Sequence, residues 1–250
     1  MTPKERKRIY TLLGPQKIAE IFAYLDEPQI YFSELSVKDA AKVVSLMDSD
    51  DAVDVLETLD DKKKYEIVEN LDKAAIKDVK MLLSYDDDEI GSCMTTNYIC
   101  IPKGLSVRQA MSELVRQAGT NDNISTIYVL DESLKFAGAI DLKDLIIARK
   151  HDVLDDIIVR SYPSVTDHEK IDDCMEKIMD YSEDSIPVLS QDGHMLGVIT
   201  SEDIVEMVDN EMGEDYAKLA GLTAEEDLKE TTAQSMKKRL PWLIICCSLG

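Results

Sequence analysis

Leu35, Met47, Leu59, Leu71 and Leu83 recur every twelve residues, and each is followed at once by a polar residue: Ser36, Asp48, Asp60, Asp72 and Ser84. A side-chain oxygen there suits a helix N-cap, where it accepts one of the unpaired N–H groups of the first turn. Behind each cap lies a short amphipathic segment, as in Ala52–Leu59. Twelve residues hold a helix of about two turns and a tight corner. No strand pattern interrupts them between Ile18 and Leu83. Residues 1–90 are therefore expected to form an all-α superhelical solenoid of short helices, with a bundle of coincidental spacing as the alternative.

The pattern changes after Ser84–Gly91, a charged stretch that reads as a linker and domain boundary. From there about fifty residues occur twice, from Met94 to about Ala148 and from Ile158 to about Val208. Ile101 matches Val165, Val107 matches Ile171 and Met111 matches Met175 at an offset of 64; Gly138 matches Gly197 and Asp144 matches Asp203 at an offset of 59. The first copy thus carries five extra residues around Gln117–Ser125. Each copy predicts an extended stretch (Tyr98–Ile101; Ser164–Thr166), a capped helix, a strand (Ser125–Leu130; Ile186–Leu189), a turn, a second strand (Phe136–Ile140; Met195–Ile199) and a helix from Asp141 or Thr200. Ser106-x-x-Gln109 and Thr166-x-x-Glu169 fit the capping box. Two such units in tandem are expected to pack on each other, each burying a face it could not bury alone. The fold class is α+β and multidomain: the solenoid, a β-α-β-β-α pair, and a C-terminal connecting helix. Apolar spacing predicts a helix over Ser201–Met212, Gly213 could end or kink it, and a further helix covers Ala224–Lys238.

Charge alters the functional picture. Against 28 Lys+Arg stand 50 Asp+Glu, a net charge of −22, which excludes nucleic acid as a partner and favours cations. Cys93, Cys100, Cys174, Cys246 and Cys247 form no Cys-x-x-Cys pair, and no signal peptide opens the chain, as in a reducing cytosol. His151, His168 and His194 are isolated, which speaks against zinc. Lys237–Arg239 precede Trp242 and an apolar run to Gly250, too short to span a bilayer yet patterned like the cytoplasmic start of a membrane helix. The expectation is a chain cut just inside a membrane segment (240–250). Walker-type, Gly-x-Ser-x-Gly and HExxH motifs are all absent, so no enzymatic activity is expected.

No Lys or Arg occurs from Ser201 to Ala217, where Glu202, Asp203, Glu206, Asp209, Glu211, Glu214 and Asp215 gather. Two carboxylates at about 4 Å repel by roughly 1–4 kcal/mol across the plausible range of effective dielectric. Such a run is either a solvated acidic helix or one neutralised by a hard divalent cation with oxygen ligands, and scattered acids suit Mg²⁺. Asp50 and Asp54 form a second acidic pair, at i,i+4, although Asp50 or Asp51 could simply complement a helix N-terminus.

The stretch "IPVLSQDGHMLGVITSEDIV" (186–205), within the duplicated β-α-β-β-α pattern, resembles a CBS-domain pair. "MDSDDAVDVLETLDDKKKYEIVENL" (47–71) and "YDDDEIGSCMTT" (85–96) are similar to the N domain and junction of MgtE magnesium transporters, though that family commonly has Pro and a small residue where Asp86 and Ile90 stand. "KKRLPWL" (237–243) is similar to the lead into their first membrane helix. The resemblance implies an N domain over 1–90, CBS copies over 91–150 and 151–212, and a connecting helix over 213–239. It implies a homodimer joined through the CBS domains on the cytoplasmic face of the membrane, linked to a pore domain, with Mg²⁺ sensed inside the cell. It also implies metal contacts for Asp172, Asp203, Glu211, Glu214 and Asp215, and suggests that Asp50 and Asp54 share Mg²⁺ with the CBS pair and the connecting helix, favouring a closed state. Lys170 and Ser182 stand where members can carry acids, so a site there is weakened or lost. CBS pairs often hold adenine nucleotides, and Thr200 and Asp203 are placed to meet a ribose of ATP or AMP, whereas the first copy has Asp141 in place of the hydroxyl. An adenine-nucleotide-sensing module of a membrane protein is the alternative function, and a helical scaffold without ligand a third.

Overall fold

The computed structural model describes residues 2–25, 27–121, 123–149, 152–180, 183–205 and 207–208. The chain divides into two compact units, 1–200 and 201–250.

The first unit opens with helices α1 (Pro3–Phe22), α2 (Pro28–Phe32), α3 (Val37–Val44), α4 (Ser49–Glu57), α5 (Asp61–Val68) and α6 (Ala75–Leu82). Helix α3 packs on α1 and α5, and α4 on α6. Alternate helices therefore form two rows, the arrangement expected of a wound solenoid. The buried members of the twelve-residue repeat are Val43, Val55, Ile67 and Val79. They precede the repeating Leu/Met by four residues, one helical turn. A fully buried aliphatic side chain of this kind contributes about 1.5–3 kcal/mol. At the N-terminal end Phe22 meets the rings of Tyr10, Tyr31 and Phe32 at 5.5, 5.8 and 5.3 Å.

The caps follow the expected pattern in part. Ser36 accepts the Asp39 N–H at 3.2 Å and Asp60 that of Lys63 at 3.0 Å. Asp72 accepts the N–H groups of Ala74 and Ala75 and so starts α6 two residues later than expected. Asp48 precedes α4 but makes no capping bond, and Ser84 starts no helix; its hydroxyl donates back to the Met81 carbonyl.

The duplicated half contains β1 (Ile99–Pro102), α7 (Val107–Gln117), β2 (Thr126–Leu130), β3 (Phe136–Asp141) and α8 (Leu142–Ile147), then β4 (Val165–Thr166), α9 (Ile171–Asp180), β5 (Ser185–Leu189) and β6 (Met195–Thr200). Each copy is a three-stranded sheet in sequence order, its first pair parallel and its second antiparallel. Ile101 opposite Val129 recurs as Val165 opposite Val188, the register demanded by the two sequence offsets.

The copies also exchange edges. Val159, leading into the second copy, pairs antiparallel with Ala139 of β3, and Thr95, its equivalent, pairs with Val198 of β6. Two glycines permit this approach. A Cβ at Gly138 would meet the Val159 carbonyl oxygen at 2.7 Å, and one at Gly197 the Thr95 carbonyl oxygen at 2.8 Å. Across the pseudo-twofold Lys135 pairs with His194, its own counterpart. Between the sheets Tyr128 is buried, its ring 6.1 Å from Tyr98 and 6.2 Å from Tyr162, which are themselves equivalent.

Two expectations need correction. The Ser106–Gln109 capping box forms, but Thr166–Glu169 does not cap a helix: α9 starts at Ile171, and the residue equivalent to Ser106 is Lys170. The charged stretch 84–91 is not a free linker. Ile90 and Gly91 donate to the Glu169 and Asp167 carbonyls at 2.9 and 2.8 Å, and Ile171 donates to the Asp88 carbonyl at 3.0 Å. It is a strap bound to the start of the second copy.

In the second unit, residues 201–205 and 207–208 are helical. The expected connecting helix and the apolar end lie outside the described residues. Among the described residues no helix is long and apolar enough to cross a membrane.

Candidate functional site

Asp48 precedes α4 without capping it, and α4 carries Asp50 and Asp51 in its first turn, where acids complement the helix dipole. Asp48 Oδ1 accepts a hydrogen bond from the Asn97 side-chain amide at 2.9 Å, ahead of β1. Beside it, Ser49 Oγ accepts the Thr96 N–H at 2.9 Å, and Thr96 Oγ1 donates to Asp78 Oδ2 at 3.4 Å. Ser49 is buried, so losing that bond would leave a polar group without its partner, at about 1–3 kcal/mol. The segment 95–97 therefore joins α4 and α6 to β1 and, through the Thr95–Val198 pairing, to β6. Here the helical domain meets both copies of the repeat.

A cleft of about 270 Å³ opens at this junction, lined by Ser45, Asp48, Asp72, Asp78, Asn97 and Asn121 among others. Asp50 and Asp54 lie on α4 outside this lining, Asp50 half-buried and Asp54 exposed one turn on.

The strap makes the second attachment. Lys170 Nζ meets Asp88 Oδ1 at 2.6 Å, which raises the Lys170 ammonium pKa and lowers that of the Asp88 carboxyl. Glu89 is held below its usual value chiefly by accepting the Asp86 N–H, with His168 adding to it. The Tyr85 hydroxyl donates to Asp167 Oδ2 at 3.1 Å, and burial together with that carboxylate pushes the Tyr85 phenol up to about 12. Asp167 is itself buried, and its Oδ1 has no hydrogen-bond partner among the described residues. A Cβ at Gly91 would meet the Tyr85 ring at 2.6 Å, so the glycine lets the strap close over the tyrosine.

Of the other candidate residues, Asp172 is exposed in the first turn of α9. Thr200 ends β6 opposite Ser185, and its counterpart Asp141 ends β3 opposite Thr126. Asp203 is half-buried in the helical residues of the second unit. Glu211, Glu214, Asp215 and Ser182 lie outside the described residues. Among the described residues no group of three or more His, Cys, Asp or Glu is gathered for a metal ion. The donors present at Asp50, Asp54 and Asp172 are hard carboxylate oxygens, which fit Mg²⁺ and would not select a soft ion.

Sequence reasoning missed the Asp48–Asn97 and Ser49–Thr96 links and the Tyr85–Asp167 contact. Nothing local marked any of them: α5 also has an acid, Asp61, in its first turn, yet its cap residue Asp60 does cap.

The MgtE intracellular N domain matches residues 1–88, and the CBS domain matches residues 89–151 and 154–210. The magnesium transporter MgtE of Enterococcus faecalis is 37% identical over 99% of this chain and 55% of that protein. The magnesium transporter MgtE of Bacillus subtilis is 29% identical over 100% of this chain and 56% of its own length. The chain thus spans about half the length of the curated relatives it matches. Among solved structures, the soluble part of a magnesium transporter superposes with a TM-score of 0.80 at 32% identity, covering 84% of both chains. The cytosolic domain of the Mg²⁺ channel MgtE in complex with ATP does so with a TM-score of 0.75 at 26% identity, over 82% of this chain and 85% of that one. The helical domain, the CBS pair and their order agree with these relatives over nearly the whole chain, and the chain belongs to the MgtE family of magnesium transporters.

Proposed function

We propose that this chain is the Mg²⁺-sensing cytosolic part of a magnesium transporter, at the cytoplasmic face of the membrane and linked to a pore domain. The observation that carries the reading is the junction at residues 95–97, where one short segment ties α4 and α6 to both CBS copies. A change in how the helical domain docks is transmitted to the pair directly. The candidate ligands are Asp50, Asp54 and Asp172 in the first unit, and Asp203, Glu211, Glu214 and Asp215 beyond it. Bound Mg²⁺ would supply the positive charge that offsets the mutual repulsion of these carboxylates. Asp50 and Asp54 extend from the helix whose N-terminus makes the junction. The closed state is favoured only to the extent that Mg²⁺ binds it more tightly than the open one. Lys170, paired with Asp88, places a cation where members of the family can carry an acid, and so removes one candidate ligand. Two chains join through their CBS domains in this reading, and the working division remains 1–90, 91–150, 151–212 and 213–239.

Adenine-nucleotide sensing is a second reading, favoured by the ATP complex of the relative at 26% identity and by Thr200 at the end of β6, with Asp203 three residues on. Calorimetry with MgCl₂, ATP and AMP separates the two. Under the main reading Mg²⁺ gives a saturable heat that Asp50→Asn with Asp54→Asn reduces at least tenfold in affinity, and Asp203→Asn weakens it as well. Heat from ATP or AMP alone, with none from Mg²⁺, would replace it by the second.

A further inference from the structure

We propose that the exposed basic face of α1 is a docking surface for an anionic lipid bilayer. Lys4, Lys7 and Arg8 stand at i, i+3 and i+4 on one side of the helix, and all three are exposed. Leu12, the next residue along that face, is 84% exposed, and Ile9 is exposed beside it. Arg6 points elsewhere: it is paired with Glu34 and lies 5.6 Å from the Tyr31 ring centroid. Among the described residues Lys4, Lys7 and Arg8 form no ion pair, and Lys7 feels Glu34 only at longer range. Gly14, with φ 76, breaks the helix after Leu13, so these residues share one straight segment, whose opposite side packs on the domain through Arg6 and Tyr10.

Two facts separate this charge from the needs of the fold. Cations in the first turns oppose the helix macrodipole, and only Glu5 there complements it. The chain also offers 50 acidic residues, yet among the described residues these three cations form an ion pair with none. A positive arm on a strongly acidic body is a charge distribution that orients the molecule toward a negative surface. The cytoplasmic leaflet is such a surface and attracts basic segments within a Debye length. Leu12 and Ile9 would enter the headgroup boundary as the apolar side chains of interfacial helices do. Attachment to a pore in the same bilayer makes such contacts effective at modest intrinsic strength, because the effective concentration is high. The inference rests on the reading of the chain as part of a membrane protein.

Co-sedimentation with vesicles at physiological ionic strength tests it, using phosphatidylcholine alone and phosphatidylcholine doped with phosphatidylserine. The 250-residue chain is expected to partition onto the doped vesicles, and the combined Lys4→Gln, Lys7→Gln and Arg8→Gln variant to lose on the order of a hundredfold in partition. Leu12→Ser should lose less. The apolar residues 240–250 are common to all variants and cancel. Equal partition of the parent chain and the triple variant overturns the proposal. So does loss of self-association in the triple variant without any change on vesicles, which would make the acidic surface of a second copy the occupant. The Mg²⁺ titration of the triple variant is expected to match that of the parent chain, so failure on vesicles and failure of Mg²⁺ sensing are read separately.

Discussion

The two CBS copies share strand order, register and edge exchange, yet they are attached to the rest of the chain by different chemistry. The first copy meets the helical domain through neutral and charge-assisted hydrogen bonds at Ser49–Thr96 and Asp48–Asn97. The second is held by the strap, through the Asp88–Lys170 ion pair, the Glu89–His168 contact and the half-buried Tyr85–Asp167 bond. Duplication supplied a scaffold that needs both halves, and the divergence lies at the positions that face outward from it. At the cap before the first helix, Ser106 stabilises its own α7, whereas Lys170 at the equivalent position of the second copy reaches for the strap.

The strongest way to break the comparison is at the matched glycines. Gly138→Ala should destabilise the chain by about 2–4 kcal/mol, since it adds overpacking against the Val159 carbonyl to a φ of 142 that side chains rarely adopt. Gly197→Ala should cost about 1–3 kcal/mol, because its backbone is ordinary and Met94, one of the two neighbours, can yield. Thermal unfolding that ranked the two in the opposite order would refute this account of the edge exchange. Next comes the interface between the sheets. Tyr128→Phe removes a buried 2.6 Å bond to Ser185 and is expected to cost about 1–2 kcal/mol, measured by urea unfolding.

Leu134 sharpens the comparison in the other direction. It holds φ at 61, where its counterpart Gly193 holds 83. Leu134→Gly should stabilise by roughly 0.5–1 kcal/mol, as left-handed backbone penalises a Cβ, and a lowered melting temperature would count against it.

The smallest effect is the pH dependence of the strap. The depressed Asp88 and Glu89 carboxyls contribute stability that is present above 3.8 and 4.5, their ordinary values, and is lost as pH falls through their lower folded values. The raised Lys170 ammonium contributes below 10.5 and loses that contribution as pH rises through its higher folded value. Lys170→Met should diminish both limbs: the Tyr85 phenol, pushed up to about 12, keeps its own alkaline loss, and Glu89, held mainly by the Asp86 N–H, keeps its part in acid. Melting curves of the two proteins from acid to alkaline pH check this.

Much of the architecture was legible because it repeats. The offsets of 64 and 59 fixed the strand pairs, and the twelve-residue spacing fixed the helical domain. What escaped the sequence was where polar side chains go when two partners compete for them. Asp48 holds the same place in the twelve-residue repeat as Asp60, yet of the two only Asp60 caps. The difference is Asn97, forty-nine residues away, and local pattern carries no trace of it. The Thr166-x-x-Glu169 motif misled for a related reason: it matches the capping box but lies four residues too early by the repeat's own alignment. The charged stretch 84–91 read as a linker because its anchors, Asp167 and Lys170, are contributed by the second copy. Among the candidate metal ligands, Asp50 and Asp54 are placed on α4 by helical periodicity alone, but nearness to carboxylates elsewhere in the chain is a tertiary property that spacing cannot supply.

Small-angle scattering with and without MgCl₂ tests the central claim most directly. Carboxylate repulsion released by Mg²⁺ removal should expand the chain, so the account predicts a smaller radius of gyration in Mg²⁺ than in chelator, with the contraction reduced in the Asp50→Asn, Asp54→Asn variant. A radius that is the same in both conditions would contradict it.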